Sequence, residues 1–120
     1  LGGALGAVGR WALSGWAQRF ANSALPWGTL AVNLFGSLLI GALWAAFERF
    51  VVSPNLRVFL LVGLLGGFTT FSTYSLETVM LLRDGELRLA LYNALAQNAL
   101  GVGLALGGYL LVRAALSTGG

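Results

Sequence analysis

Apolar runs long enough to cross a membrane succeed one another along the chain, each closed by charged or turn-forming residues. A helix needs roughly 20 apolar residues to span a hydrocarbon core. On that measure the spans fall at about 1–20, 27–47, 55–82 and 87–112. The punctuation agrees with this division. RFANSALP (19–26) brings Pro26 to a first helical turn, and the second run ends at Glu48-Arg49. Ser53-Pro54 reads as an N-cap followed by proline at the first helical position. RDGELR (83–88) supplies Gly85 as a helix stop, and the fourth run ends before the polar STGG. The first run lacks a basic start and has the length of a full span, so it reads as a helix, not as a cleavable signal peptide. The expected fold is an all-α membrane protein, with residues 1–120 forming a single transmembrane domain of four helices.

One stretch breaks the pattern. Residues 66–75, GGFTTFSTYS, place a glycine pair and the hydroxyls of Thr69, Thr70, Ser72, Thr73, Tyr74 and Ser75 inside the third run. Paired glycines and consecutive β-branched threonines make a poor helix interior. Irregular backbone at membrane depth is tolerated where it is buried in protein or lines a wet cavity. The expectation is a third helix broken mid-membrane, with FTTFSTYS between two half-helices. Such a break offers carbonyl oxygens to a cation and amide N–H groups to an anion. The competing reading is a continuous helix whose hydroxyls bond back to carbonyls one turn earlier.

Composition narrows the function classes. The chain is 58% hydrophobic and 9% charged, whereas a soluble domain carries about 25% charged residues. It has no cysteine and no histidine. Disulfides, a thiolate site and the usual general base are therefore excluded. The acids are Glu48, Glu77, Asp84 and Glu86, too few and too peripheral for ordinary hydrolytic chemistry, and no enzyme is expected. The net charge of +3 comes from seven arginines scattered singly. A basic run, the footprint of a nucleic-acid partner, is missing.

The arginines also bear on orientation. Arg49, Arg57 and Arg113 flank the spans on one side and Arg19, Arg83 and Arg88 on the other. Orientation is set by an excess of Lys/Arg on cytoplasmic loops, and here the two sides balance. This predicts insertion both ways up and an antiparallel two-fold homodimer. The alternative is that a partner, or residues preceding Leu1, decides the orientation. In the dimer the two breaks meet at the centre, and their carbonyls suit one small hard cation. Gly2/Gly6, Gly63/Gly67 and Gly103/Gly107 carry the spacing that lets membrane helices approach closely.

GGFTTFSTYSLE closely resembles the signature of the CrcB/Fluc family of fluoride channels. LGGALGAVGRWAL (1–13) and WGTLAVNLFGSLLIG (27–41) are similar to that family's first- and second-helix patterns. The resemblance covers essentially the whole chain. It implies an antiparallel homodimer in the cell (inner) membrane with two fluoride pores, releasing fluoride passively to lower its cytoplasmic level. It also implies a structural sodium ion that is not transported, held by the Gly66 and Thr69 backbone carbonyls of both chains. Phe71 matches the first pore-lining phenylalanine, and Tyr74 stands where the second is usual. Asn33 matches the pore-facing asparagine of the second helix, and Arg10 the first-helix arginine.

The residues suit that role. Aromatic ring edges are positive, so Phe71 and Tyr74 can meet an anion without a fixed charge. The Asn33 amide and the Ser72 and Thr73 hydroxyls are neutral donors, and conduction needs binding weak enough to let the ion leave. The alternative for Phe71 is ordinary packing. Arg10 is costly within a span and is expected near a helix end or wet vestibule. Asn93 and Gln97 lie one turn apart on the fourth helix, either facing the pore or bonding between helices. Glu77 is expected in the first turn or so of the second half-helix, where the dipole favours a carboxylate.

Two other functions compete. A small dual-topology multidrug/proton exchanger needs a membrane-embedded carboxylate, and neither of the first two spans holds one before Glu48. An accessory membrane subunit would explain the glycines and leave the polar break unexplained.

Overall fold

The computed structural model of the chain describes residues 1–21 and 25–118, and among these it is all helical. Helix α1 spans Gly2–Ala21 and α2 spans Trp27–Arg49. The contiguous segments Pro54–Arg57, Val58–Leu65 and Gly66–Phe68 form α3. Helix α4 spans Phe71–Arg83. Leu87–Leu95, Ala96–Leu100 and Gly101–Thr118 run together as α5. Val58–Leu65 and Ala96–Leu100 are wound as wider, π-type turns.

Trp27–Arg49, Pro54–Arg83 and Leu87–Ser117 are long and apolar enough to cross a membrane. Helix α1 has 20 residues but interrupts its apolar run with Arg10, Gln18 and Arg19. The first of the four expected crossings thus has span length without comparable apolarity.

Local chemistry sets the helix ends. Ser53 accepts a hydrogen bond from the Leu56 N–H at 3.2 Å, with Pro54 at the first helical position. Gly85 takes φ +78°, the left-handed conformation that glycine adopts without a Cβ clash. There its N–H donates to the Leu82 carbonyl and that of Glu86 to the Leu81 carbonyl. The loop expected at 19–26 lies partly outside the described residues, and Arg19 belongs to α1. Pro26 precedes α2 at the cap position and offers no side-chain cap. Gln18 fills that need from α1, its Oε1 accepting from the Gly28 N–H at 3.1 Å.

Close backbone approach explains two of the glycine pairs. A Cβ on Gly2 would lie 2.7 Å from the Phe59 carbonyl oxygen, and one on Gly67 2.6 Å from that of Gly3. The pairs on α1 and α3 therefore interlock. Gly103/Gly107 instead meets nothing within 4 Å. The α2–α5 seam is made by Gly41 against the Ala105 backbone and by Gly108 against the Leu38 carbonyl. Spacing marks a face that can pack closely, and the facing helix decides which face is used. Gly41→Leu is expected to force this seam open, destabilising the fold by about 1–3 kcal/mol as overpacking does. Gly15→Ala, with open space around it, is expected to be neutral or mildly stabilising. Thermal unfolding in detergent compares the two.

The core is thin for a chain of this size. Val32 and Asn93 are the largest fully buried side chains, while Leu5, Val62, Leu95 and Leu111 point outward. An outer surface this apolar belongs in hydrocarbon or against another copy, and the chain is a membrane protein.

Candidate functional site

The polar decapeptide is where α3 gives way to α4. Thr69 (φ −86°, ψ 158°) and Thr70 (φ −149°, ψ 116°) are extended, with helix on either side. The non-helical stretch is narrower than the expected FTTFSTYS. Phe71, Ser72, Thr73, Tyr74 and Ser75 are already helical. Two extended residues suffice because side chains take over the Thr70 and Thr73 N–H bonds that the helix loses.

Those substitutions can be traced one by one. In an unbroken helix the Thr70 N–H would close on the Gly66 carbonyl; here it donates to Asn33 Oδ1 at 2.9 Å. The Thr73 N–H would close on the Thr69 carbonyl; here it donates to Thr70 Oγ1 at 3.2 Å, which caps α4. Asn33 Nδ2 completes the exchange by donating to the Thr70 carbonyl at 3.1 Å. Thr70 is thereby satisfied at both backbone groups by one side chain on α2. Gly66 and Thr69 are left with carbonyls released from their usual donors.

Asn33 also begins a chain of amides. Its Nδ2 donates to Gln97 Oε1 at 2.9 Å, and Gln97 Nε2 reaches Asn93 Oδ1 at a long 3.5 Å. Asn93, fully buried, donates to Thr78 Oγ1 at 3.0 Å, and that hydroxyl donates to the Tyr74 carbonyl at 2.8 Å. A buried polar network is held firmly only when its members are paired, and this one ties α2, α4 and α5 around the break.

A cavity of about 340 Å³ opens beside it, lined among others by Asn33, Thr69, Phe71, Tyr74, Gln97 and Asn98. Phe71 is 76% exposed and its ring meets that of Tyr74 at 5.5 Å between centroids, tilted by 59°. A second hollow of about 220 Å³ lies across Thr70 and contains Arg10, Ser14, Thr29 and Thr73.

The residues expected at one site therefore divide. Asn33, Gly66, Thr69, Phe71, Tyr74 and Gln97 share the larger cavity. Arg10 and Thr73 belong to the second hollow, and Ser72 is exposed and lines neither. Asn93 stays within the amide chain and does not line the cavity. Glu77 is in the second turn of α4, beyond the reach of the helix-end charge; it pairs with Thr29, and its buried Oε1 has no partner among the described residues. Sequence reasoning missed Thr78 and did not pair Asn98, one of the fourth-helix polar residues, with Tyr74. Thr78 had a signal in its place one turn after Tyr74; the contact of Asn98 with Tyr74 Oη, 3.1 Å across 24 residues, had none.

Known proteins match this chain closely. The family described as CrcB-like protein, Camphor Resistance (CrcB), matches residues 1–109. Among curated relatives, the protein named fluoride-specific ion channel FluC of Desulforapulum autotrophicum is 47% identical over 114 residues, covering 94% of this chain and 91% of its own. That of Parabacteroides distasonis is 48% identical over 102 residues, covering 85% and 80%. That of Salinibacter ruber is 49% identical, covering 85% and 77%.

Proposed function

Because the chain belongs to the family of CrcB-like proteins, we propose that it is a fluoride channel through which the anion leaves the cell passively. The observation that carries this reading is the run of extended residues at Thr69 and Thr70, where the N–H groups of Thr70 and Thr73 are met by a neutral amide and a hydroxyl beside a cavity lined by aromatic rings. A small, strongly hydrated anion needs donors to replace its water. A fixed cation at the constriction would hold it too long. Gln97 Nε2 has a second hydrogen beyond the one it gives Asn93 and supplies a neutral amide donor, held in place by Asn33, and the edges of Phe71 and Tyr74 add positive potential. Arg10, in the neighbouring hollow, draws anions toward the site without gripping them there.

The functional unit in this reading is an antiparallel homodimer in the cell inner membrane, inserted both ways up, with four crossings in each protomer. The even division of arginines supports it. So do the outward Phe71 and the unpacked Gly103/Gly107 face, both of which a second copy would cover. A sodium ion on the two-fold axis fits the donor set. The Gly66 and Thr69 carbonyls are hard oxygen ligands whose helical donors have been drawn away. Bound there, the ion would neutralise converging carbonyl dipoles and hold the breaks of the two protomers together.

The test is anion release from liposomes containing this protein alone. Fluoride is expected to leave at least about 100-fold faster than chloride, a selectivity of about 2.7 kcal/mol. Exchange of sodium for a large organic cation is expected to slow release as the dimer centre loosens. Equal leakage of both anions would overturn the fluoride reading. Dye uptake driven by a proton gradient would favour the exchanger.

A further inference from the structure

We propose that Asn98 is a positioning residue that aims the Tyr74 hydroxyl proton into the larger cavity, so that the phenol is a direct hydrogen-bond donor to the permeating anion. The inference rests on the channel reading above and adds to it a named donor and the residue that orients it.

The direction of the bonds is fixed by chemistry alone. Asn98 Nδ2 lies 2.9 Å from the Ala94 carbonyl oxygen. A backbone carbonyl only accepts, so the atom facing it is the amide nitrogen and not the amide oxygen. The same nitrogen lies 3.1 Å from Tyr74 Oη, and its second hydrogen serves that contact. The phenol oxygen is therefore the acceptor, and its own proton has to point elsewhere. Tyr74, Asn98 and Phe71 all line the 340 Å³ cavity, which offers open space to that proton. Accepting from Asn98 also polarises the O–H, since linked hydrogen bonds strengthen one another.

A phenol held this way recognises a small anion of high charge density. Hydrogen bonds to charged acceptors are roughly twice as strong as neutral ones, and among halides the strength rises as the ion shrinks. Phe71 offers the ion a ring edge, and Tyr74 adds a directed donor beside it. Tyr74 touches the ion, whereas Asn98 acts through Tyr74.

The experiment uses full-length protein in liposomes and measures initial fluoride release as a function of fluoride concentration. The variants are Tyr74→Phe, Asn98→Asp and the two combined. Tyr74→Phe is expected to raise the half-saturating concentration about tenfold, the lower end of what a bond to a charged group contributes. Asn98→Asp puts an acceptor-only carboxylate against the phenol, which then donates to it and turns away from the cavity. A rise of about tenfold is expected with Tyr74 present and less than about threefold in the Tyr74→Phe background, where only the added charge acts. Asn98→Leu, an uncharged companion if the acidic variant fails to fold, is expected to give about threefold with Tyr74 present and none without it. Wild-type liposomes that release no fluoride overturn the channel reading and this assignment with it. Wild-type conduction combined with an unchanged half-saturation in Tyr74→Phe, or equal Asn98 effects in both backgrounds, overturns this assignment alone.

Discussion

Asn33→Leu is expected to lower fluoride release by at least about 100-fold and to reduce the stability of the protein in detergent. Leucine is apolar and not much larger than asparagine, so the loss would come from hydrogen bonds and not from a cavity. Asn33 accepts from the Thr70 N–H and donates to the Thr70 carbonyl and to Gln97. Each buried polar group left without a partner costs about 1–3 kcal/mol, and both Thr70 backbone groups would be orphaned at once. The chain has one local escape, in which the Thr70 N–H returns to the Gly66 carbonyl and the interruption closes into helix. That relieves the cost by removing the feature on which function depends. Asn33→Asp separates the two effects. The carboxylate still accepts from Thr70 N–H, and Gln97 can turn its amide to donate to it. The Thr70 carbonyl cannot turn, and it then faces an acceptor. Intermediate stability is expected, with release as low as in the leucine variant because a negative charge now borders the cavity. Melting temperature and fluoride-electrode traces on the same preparations decide it. A leucine variant that melts and conducts like the wild type would remove Asn33 from the architecture of the break.

How far the sequence carried this reading varies from residue to residue. The punctuation at Ser53-Pro54 and Gly85 was legible because capping depends on neighbours a few positions away. The polar stretch 66–75 was legible because hydroxyls among leucines are conspicuous, but its non-helical core was overestimated. Sequence shows the groups that disfavour helix. It does not show Asn33, 37 residues from Thr70, which confines the interruption to two residues. The fourth helix was hardest to phase. A period of 3.6 puts Gln97 and Asn98 on different bearings, yet both line the cavity. Both lie inside the widened turn at Ala96–Leu100, where successive residues are separated by a smaller angle than in an α-helix. Tyr74 takes the partner of its carbonyl, Thr78, from its own helix and that of its hydroxyl, Asn98, from the widened turn.

Phe71→Ile separates pore chemistry from packing. Phe71 is 76% exposed in the single chain, so its replacement removes little that holds that chain together; a surface substitution of this kind shifts stability by about 0.5 kcal/mol or less. Isoleucine is similarly apolar and nearly as bulky, and it would still fill space against a second copy in the proposed dimer. What it lacks is the ring quadrupole, whose positive edge an anion could meet in the cavity that Phe71 and Tyr74 line. Fluoride release is therefore expected to fall by at least about 100-fold, or about 2.7 kcal/mol of barrier, while the protein elutes at the size of the wild-type assembly. Simultaneous loss of conduction and assembly would instead make packing against another copy, and not the ring's charge distribution, the main role of Phe71. An unchanged rate would place the ion's path away from this ring and leave Asn33 and Tyr74 to carry the anion without it. The contrast with Asn33 is the decisive feature. One residue holds the backbone open and should fail in both stability and flux; the other only faces the opening and should fail in flux alone.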